Sequence, residues 1–263
     1  VQFMRRQQPG VQHKEKASPL HPFVMVLFVF CIVLAAGCGQ DPSQVQGQGP
    51  SNEPSETSTH QGNEHNTLSA GLFEQAAALP APADDELPDW HGTALTPEYF
   101  NRNVLESDIK DIAASGFNYV RVHYSYLNFV DENSLKPLDG NLRKLDQVIG
   151  WGITHGVHIN VTLYELPGSR DDIMQNPDHY RQAVEIWEMI AKRYTNVPAA
   201  AVSYNLLNEP GYDVFTEEGY AAFANELADV IWRHDNQKII VSDGMLGEGW
   251  DGAVASQPIA QVN

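Results

Sequence analysis

Cysteine and basic side chains are both scarce in this 263-residue chain. One of the two cysteines, Cys31, lies inside an apolar N-terminal run, so no disulfide is expected in the rest of the chain. Lysine and arginine number 16 against 34 aspartate and glutamate residues, for a formal net charge of -18. Such an acidic surface would repel a nucleic acid. The composition therefore favours a neutral substrate and excludes a nucleic-acid partner.

The chain also lacks an apolar run long enough to predict a transmembrane helix. The apolar run over residues 23–37 follows several basic residues and ends in the sequence LAAGC at Cys38. This pattern resembles a bacterial lipoprotein signal, which implies a signal peptide over residues 1–37 and lipidation of Cys38. We therefore expect a secreted protein of the bacterial cell envelope or cell surface, anchored to a membrane without spanning it. An ordinary secretory signal or a short anchor is the alternative.

The stretch after Cys38 is rich in Gln, Ser, Gly, Pro, Asn, Glu and Thr. Its apolar side chains are too few to offset the entropy of ordering the backbone. We therefore predict a disordered tether over residues 38–84 that holds a domain away from the lipid surface. A linker without a tuned length is an equally open alternative. The stretch from Leu72 to Trp90, which begins in this region and runs into the next, shows no pattern that assigns it to an element.

Helical and strand-like patterns alternate beyond Leu95. Helical apolar spacing covers residues 105–113, 142–153, 180–194 and 220–231, and strand-like runs begin near Phe117, Val157, Ala201 and Lys238. The runs are spaced by about 40 residues, which is typical of strand-helix units. An open doubly wound sheet has the same rhythm, but it usually carries a glycine-rich turn after its first strand, and none is seen. We predict an α/β fold, a (β/α)8 TIM barrel over residues 85–263 that is incomplete in this chain.

Polar side chains follow several of the predicted strands. Arg121, Tyr164, Asn208 and Glu209 fall near the carboxyl ends of successive strands, where barrels place their active sites. The run over residues 199–207 predicts a strand that is buried on both faces, as in a parallel sheet covered by helices. Glu209 stands at the tip of this strand beside an amide. It is therefore a candidate catalytic acid.

Four short motifs occur in order along the predicted barrel. They are Gly116-Phe117-Asn118-Tyr119-Val120-Arg121, Leu166-Pro167-Gly168-Ser169, Arg193-Tyr194 and Leu207-Asn208-Glu209-Pro210. An Asn-Glu-Pro triplet alone is a weak signal, but in this order and spacing the motifs resemble glycoside hydrolase family 5, the cellulase family. The resemblance implies a retaining glycosidase that cleaves O-glycosidic bonds of a β-linked glucan or mannan. We expect a monomer that uses no cofactor.

The resemblance also implies roles for individual residues. Glu209 would protonate the departing glycosidic oxygen and then activate water, and Asn208 would bind the sugar 2-hydroxyl. Arg121 would keep the partner carboxylate charged, with a structural ion pair as the alternative. Family members usually carry His where this chain has Tyr164, which we expect to bind a sugar hydroxyl or stack on a ring. Trp250 is a candidate for stacking on a sugar, or else it covers the core.

The family's nucleophile is a glutamate on the seventh strand, and no position in this sequence matches it. Since the sequence stops at Asn263, we expect a truncated barrel that is inactive alone. Glu165 and Glu248 are predicted to face the mouth without matching the motif. A noncatalytic carbohydrate-binding surface lipoprotein is therefore the alternative hypothesis. His155 and His158 have a metal-like spacing, but they straddle a helix end and a strand start, so no metal site is predicted.

Overall fold

Strands and helices alternate along most of the described chain. The structure, a computed structural model, describes residues 2–4, 66–80, 88–97 and 102–244. In chain order its elements are β1 (Gln2–Met4), α1 (Ala70–Ala77), β2 (Gly92–Leu95), α2 (Glu106–Ala114), β3 (Tyr119–Ser125), α3 (Asp139–His155), β4 (His158–Glu165), α4 (Pro177–Arg193), β5 (Val202–Asn205), α5 (Glu217–His234) and β6 (Ile240–Ser242), with a 3-10 turn at Tyr126–Asn128.

The six strands of the described residues belong to one sheet with the order β1-β6-β5-β4-β3-β2. The strands β2 to β6 are parallel, and each pairs with the next one along the chain. The short β1 pairs antiparallel with β6, with Phe3 opposite Val241. A doubly wound sheet reverses its strand order at a switch point, whereas a barrel adds each new strand on the same side. The sequential order of the parallel strands is therefore that of a (β/α)8 barrel.

Local signals explain where the helices begin and end. Pro177 occupies the first turn of α4, and the Asn176 side chain accepts hydrogen bonds from two backbone N–H groups of that turn. Thr216 caps α5 in the same way by accepting from the backbone N–H of Gly219. Gly156 follows the last residue of α3 and caps it, with a φ of 74° in the left-handed region that glycine adopts without a steric penalty.

The apolar core lies between the sheet and its helices. Alternate residues of β4, namely Ile159, Val161 and Leu163, are fully buried and belong to the same core cluster as Trp187 of α4. Trp187 also donates its indole N–H to the backbone carbonyl of Leu206 at 3.1 Å. Because every residue of β5 is buried, the prediction of a strand buried on both faces is confirmed. This packing holds the carboxyl end of β5, which carries the candidate acid.

The first parallel strand is β2, which the sequence patterns left unplaced. Its four residues alternate between exposed and half-buried positions, so they show no apolar run. Trp90 lies just before β2, with its ring centroid 5.1 Å from that of Tyr119 and 4.2 Å from that of His158. These aromatic contacts lie at the amino ends of β3 and β4. Trp90 thus covers the end of the sheet opposite the candidate site.

Residues 66–80 belong to the folded domain, which corrects part of the predicted tether. Ala76 of α1 is fully buried, and Leu72 and Phe73 pack against the core. Thr67 donates hydrogen bonds from its backbone N–H and its hydroxyl to Asp146 of α3, at 3.0 and 2.8 Å. The composition of residues 66–80 does not reveal this docking, because the partner Asp146 lies 79 positions from Thr67 along the chain. The remainder of the predicted tether and signal peptide, including Cys38, lies outside the described residues apart from β1.

Within the described ranges, no helix is long and apolar enough to cross a membrane.

Candidate active site

Polar side chains line one face of the sheet and bond one another across the strands. His158 and Asn160 of β4 both contact the hydroxyl of Ser203 on β5, at 2.7 and 2.8 Å. Thr162 donates its hydroxyl to the Asn160 amide oxygen at 2.7 Å, and the Nε of Arg121 lies 3.5 Å from the Thr162 hydroxyl. The buried polar groups therefore satisfy one another along a row that leads to Arg121.

Arg121 ties together the carboxyl ends of three strands. Its Nη2 donates to the Asn208 amide oxygen at 3.0 Å and to Oδ2 of Asp243, which follows β6, also at 3.0 Å. Asp243 is 8% exposed and accepts two further hydrogen bonds, from the Asn205 side-chain amide at 3.0 Å and from the backbone N–H of Glu209 at 3.3 Å. The carboxylate that Arg121 holds among the described residues is thus Asp243.

Asp243 is a residue that sequence reasoning missed. The strand-like run that begins near Lys238 predicts β6, and Asp243 is the first residue after this strand. The rule that polar residues at the carboxyl ends of barrel strands line the site would have selected it. Its contacts with Arg121 and Glu209 have no sequence signal, since they join residues 122 and 34 positions apart.

Glu209 occupies an exposed position at the rim, with an unusual backbone conformation. Its φ is 52°, in the left-handed region that non-glycine residues seldom adopt. Conformations of this kind cost on the order of 1–3 kcal/mol and persist where the surroundings hold them in place. The backbone N–H of Asn208 donates to the Leu163 carbonyl at 2.8 Å, and that of Glu209 donates to Asp243. The turn at the end of β5 is therefore held from both neighbouring strands.

A small depression of about 30 Å³ brings Tyr164 to the same place as Asn208 and Glu209. The half-buried Tyr164 belongs to β4, and its backbone carbonyl accepts a hydrogen bond from Arg170 at 3.1 Å. Of the residues predicted for the site, Arg121, Tyr164, Asn208 and Glu209 thus surround one end of the sheet. Trp250 and Glu248 lie outside the described residues.

Glu165 lies at the same end of the sheet. Its Oε2 accepts a hydrogen bond from the hydroxyl of Ser125 at 2.7 Å, and Ser125 is paired with it in the register of β3 and β4. This carboxylate is half-buried. Glu165 therefore links the carboxyl ends of β3 and β4.

His123 is a second residue at this end that was not assigned a role. It lies two residues beyond Arg121 on β3, and its buried Nε2 has no hydrogen-bond partner among the described residues. Burial, followed by the positive charge of Arg121, lowers the pKa of His123 from 6.5 to about 4. The ring is therefore neutral near pH 7.

The two histidines with metal-like spacing do not share a site. His155 contacts Oε1 of Glu106 at 3.1 Å, whereas His158 donates from Nδ1 to the Ala200 carbonyl at 2.8 Å. Burial lowers the pKa of His158 to about 4. In the part of the chain that the structure describes, no group of three or more His, Cys, Asp or Glu residues could hold a metal ion.

Comparison with known proteins identifies the family. The profile of the family described as "Cellulase (glycosyl hydrolase family 5)" matches residues 81–263. The chain belongs to this family. The predicted (β/α)8 barrel class is therefore confirmed, since it is the fold of family 5 and agrees with the order of the parallel strands.

Curated relatives of the family 5 chain are named for glucan hydrolysis. "Probable glucan 1,3-beta-glucosidase A" of Aspergillus fumigatus is 27% identical over 172 residues, which cover 60% of this chain and 41% of that protein. "Endoglucanase C" of Acetivibrio thermocellus is 28% identical over 122 residues, which cover 44% of this chain and 35% of that protein. The chain thus spans less than half the length of these two relatives.

Solved structures support the same fold. One titled "Crystal Structure of a glycoside hydrolase" superposes with a TM-score of 0.52 at 24% identity, covering 55% of this chain and 48% of that chain. The cellulose synthase subunit Z of Clostridioides difficile gives a TM-score of 0.51 at 18% identity, covering 60% of this chain and 53% of that chain. At these identities the likeness shows the fold alone.

Proposed function

We propose that this family 5 chain contributes the acid/base half of a retaining glycosidase that cleaves O-glycosidic bonds in a β-linked glucan or mannan. The observation that carries the proposal is the arrangement at the carboxyl end of β5. There, Arg121 binds the Asn208 amide oxygen at 3.0 Å, beside the exposed Glu209. The names of the curated relatives support a β-glucan as substrate.

The contact between Arg121 and Asn208 gives the amide a defined orientation. Because the Asn208 oxygen accepts from Arg121, its NH₂ group is left as the donor towards a ligand. A hydrogen bond from that group to the sugar 2-hydroxyl strengthens as the oxocarbenium-like transition state forms. Asn208 therefore acts in substrate binding, and Arg121 acts by orienting it.

Glu209 is the proposed general acid and base. Its exposed carboxyl group is accessible to a glycosidic oxygen, which it protonates as the bond breaks, before it activates a water molecule in the second step. The retaining mechanism also needs a carboxylate nucleophile. Neither Glu165 nor Asp243 matches the family's nucleophile motif, so neither takes this role in the proposal. The proposal assigns the nucleophile to none of the described carboxylates.

Tyr164 and Trp250 are the further proposed binding residues. Tyr164 lines the same depression as Glu209, which supports a role in binding a sugar hydroxyl or stacking on a ring face. Trp250 lies a few residues after β6 in sequence and is proposed to stack on a sugar ring. The substitution Tyr164→Ala should therefore raise KM more than it lowers kcat, and the opposite pattern would argue against a binding role.

The experiment that tests the proposal uses the full-length protein on cellulose, mannan, xylan and β-1,3-glucan. Glu209→Gln is expected to lower kcat by about 10²- to 10⁴-fold while polysaccharide binding persists, because an amide cannot transfer the proton. Glu74→Gln, on the exposed face of α1, is the matched control and should keep full activity. Unchanged hydrolysis by Glu209→Gln would refute the assignment.

Two measurements separate this proposal from the alternatives. Proton NMR of the first product should show retention at the anomeric carbon, and an inverted product would exclude a retaining mechanism. Binding without hydrolysis on all four polysaccharides would favour the noncatalytic carbohydrate-binding lipoprotein. That alternative is supported by the sequence, since neither Glu165 nor Asp243 matches the family's nucleophile motif.

The proposal includes a lipid anchor at Cys38, supported by the LAAGC sequence after an apolar run. The anchor would place the enzyme on the bacterial cell envelope or cell surface. Replacement of Cys38 by serine should move the protein from the detergent phase to the aqueous phase on phase separation. Identical partitioning of both forms would contradict lipidation at this residue.

A further inference from the structure

We infer that Asp243 is a positioning residue that fixes the backbone of Glu209 and the orientation of Arg121 for proton transfer. The inference rests on the proposed role of Glu209 as the general acid. It adds a residue that lies on a different strand end from those of the Asn-Glu-Pro and Arg motifs.

The contacts of Asp243 converge on the candidate acid. A single atom, Oδ2, accepts from both Arg121 Nη2 at 3.0 Å and the Glu209 backbone N–H at 3.3 Å. The other oxygen, Oδ1, accepts from the side-chain amide of Asn205, a residue that is fully buried on β5. Asp243 is therefore held by one strand while it holds the turn that follows the same strand. Displacement of Oδ2 would move Glu209 and Arg121 together.

The backbone of Glu209 needs such support. Its φ of 52° is disfavoured for a residue with a Cβ atom, and the bond to Asp243 is made by the amide of Glu209 itself. Arg121 in turn binds the amide oxygen of Asn208, the neighbour of Glu209. The buried carboxylate of Asp243 thus holds the backbone of Glu209 directly, and it orients the Asn208 amide through Arg121.

Substituting a residue that positions a proton donor changes the kinetics in a way that substituting a merely stabilising residue does not. Proton transfer requires a short and well-aligned approach, so a small displacement of the Glu209 carboxyl slows the step in which the leaving group is protonated. Leaving groups that depart without a proton are insensitive to this displacement. The decrease in kcat/KM on substitution of Asp243 should therefore grow with the basicity of the leaving group.

The test compares wild type with Asp243→Asn in the full-length protein, using aryl β-glycosides whose phenols range from acidic dinitrophenol to weakly acidic phenols. Asparagine keeps the shape but removes the charge and one acceptor oxygen. For the weakly acidic phenols, kcat/KM is expected to fall by about 10- to 100-fold. For the dinitrophenyl glycoside, the loss should stay within about threefold.

Matched variants make the result interpretable. Asp235→Asn removes another aspartate from an ion pair, with Lys238 at 3.1 Å, near the amino end of β6, and should keep wild-type activity on every glycoside. Where Asp243→Asn lacks a cooperative thermal transition, Asn205→Ala replaces it. That change removes only the partner of Oδ1 and should produce the same trend with a smaller loss.

The possible outcomes are distinct. A loss that grows with leaving-group basicity supports the inference. An equal loss on all glycosides, or no loss, overturns it, because either pattern leaves proton donation by Glu209 unaffected. Glu209→Gln is measured alongside: if that variant is impaired and Asp243→Asn is not, only the positioning role fails. If Glu209→Gln hydrolyses weakly acidic aryl glycosides normally, the proposed function itself fails and the positioning role fails with it.

Discussion

Replacing Asp146 with alanine should be one of the most destabilising single changes in the domain. Asp146 of α3 is 1% exposed and forms a bidentate pair with Arg193 of α4, with N–O distances of 2.9 and 2.7 Å. Tyr194 donates its hydroxyl to the same carboxylate at 2.9 Å, and Thr67 donates twice. One side chain therefore joins α3, the end of α4 and the segment that leads into α1.

The magnitude follows from the charge that the substitution leaves behind. Burial opposes the charge on Arg193, but its hydrogen bonds with Asp146 raise the pKa of the guanidinium, so it stays protonated. Arg193 is only 6% exposed, and without Asp146 its charge would be buried and unpaired. Removing one partner of such a pair costs about 3–5 kcal/mol. This is a large part of the stability of a typical domain.

Equilibrium unfolding in urea measures the effect as a change in the free energy of unfolding at constant slope. Asp178→Ala is the matched control, because its ion pair with Arg181 is exposed and such pairs contribute at most about 1 kcal/mol. Combining Asp146→Ala with Arg193→Met should recover part of the loss, since the unpaired charge is then gone. A loss below about 1 kcal/mol for Asp146→Ala alone would refute the reasoning.

Further predictions concern packing and pH. Gly152→Ala in α3 should destabilise the fold by about 1–3 kcal/mol, since the added methyl group would lie 2.5 Å from Ile159 Cγ1 and 2.6 Å from the Val157 carbonyl. Gly140→Ala in the same helix meets nothing within 4 Å and should be neutral or slightly stabilising, so equal shifts in melting temperature would contradict the contact argument. Stability should also fall as the pH is lowered from about 6.5 towards 4, because burial lowers the pKa of His158 to about 4 and only the unfolded state takes up this proton in that window. His158→Gln should reduce the pH dependence of the urea midpoint, and an unchanged dependence would show that His158 does not contribute to it.

The predicted elements from β3 to β6 agree with the structure because the signals that define them lie within each element's own residues. Apolar residues recur with helical spacing in α2 to α5, and the strands show short buried runs. The first turn of α4 carries its own signals in Asn176 and Pro177. Such signals depend on neighbours a few positions away, so they can be read from the sequence. The barrel class followed from the rhythm of these elements.

The short and half-exposed elements were not predictable in this way. β2 has four residues without an apolar run, and its place is set by pairing with β3. The segment around Thr67 looks polar in sequence. It packs against the domain because Thr67 donates two hydrogen bonds to Asp146, which is paired with Arg193. In both cases the stabilising partner is far along the chain.

The identities of Arg121, Asn208 and Glu209 as candidate residues came from motif and strand position, which the amino-acid order contains. Their mutual geometry did not, because hydrogen bonds between strand ends arise only once the parallel strands are in register. The bond from Arg121 to Asp243 spans 122 positions, and it leaves the guanidinium bonded to a carboxylate that no motif had marked. The amino-acid order therefore determines that a carboxyl group follows β5. Only the pairing of the strands determines which groups contact Glu209 and its neighbour.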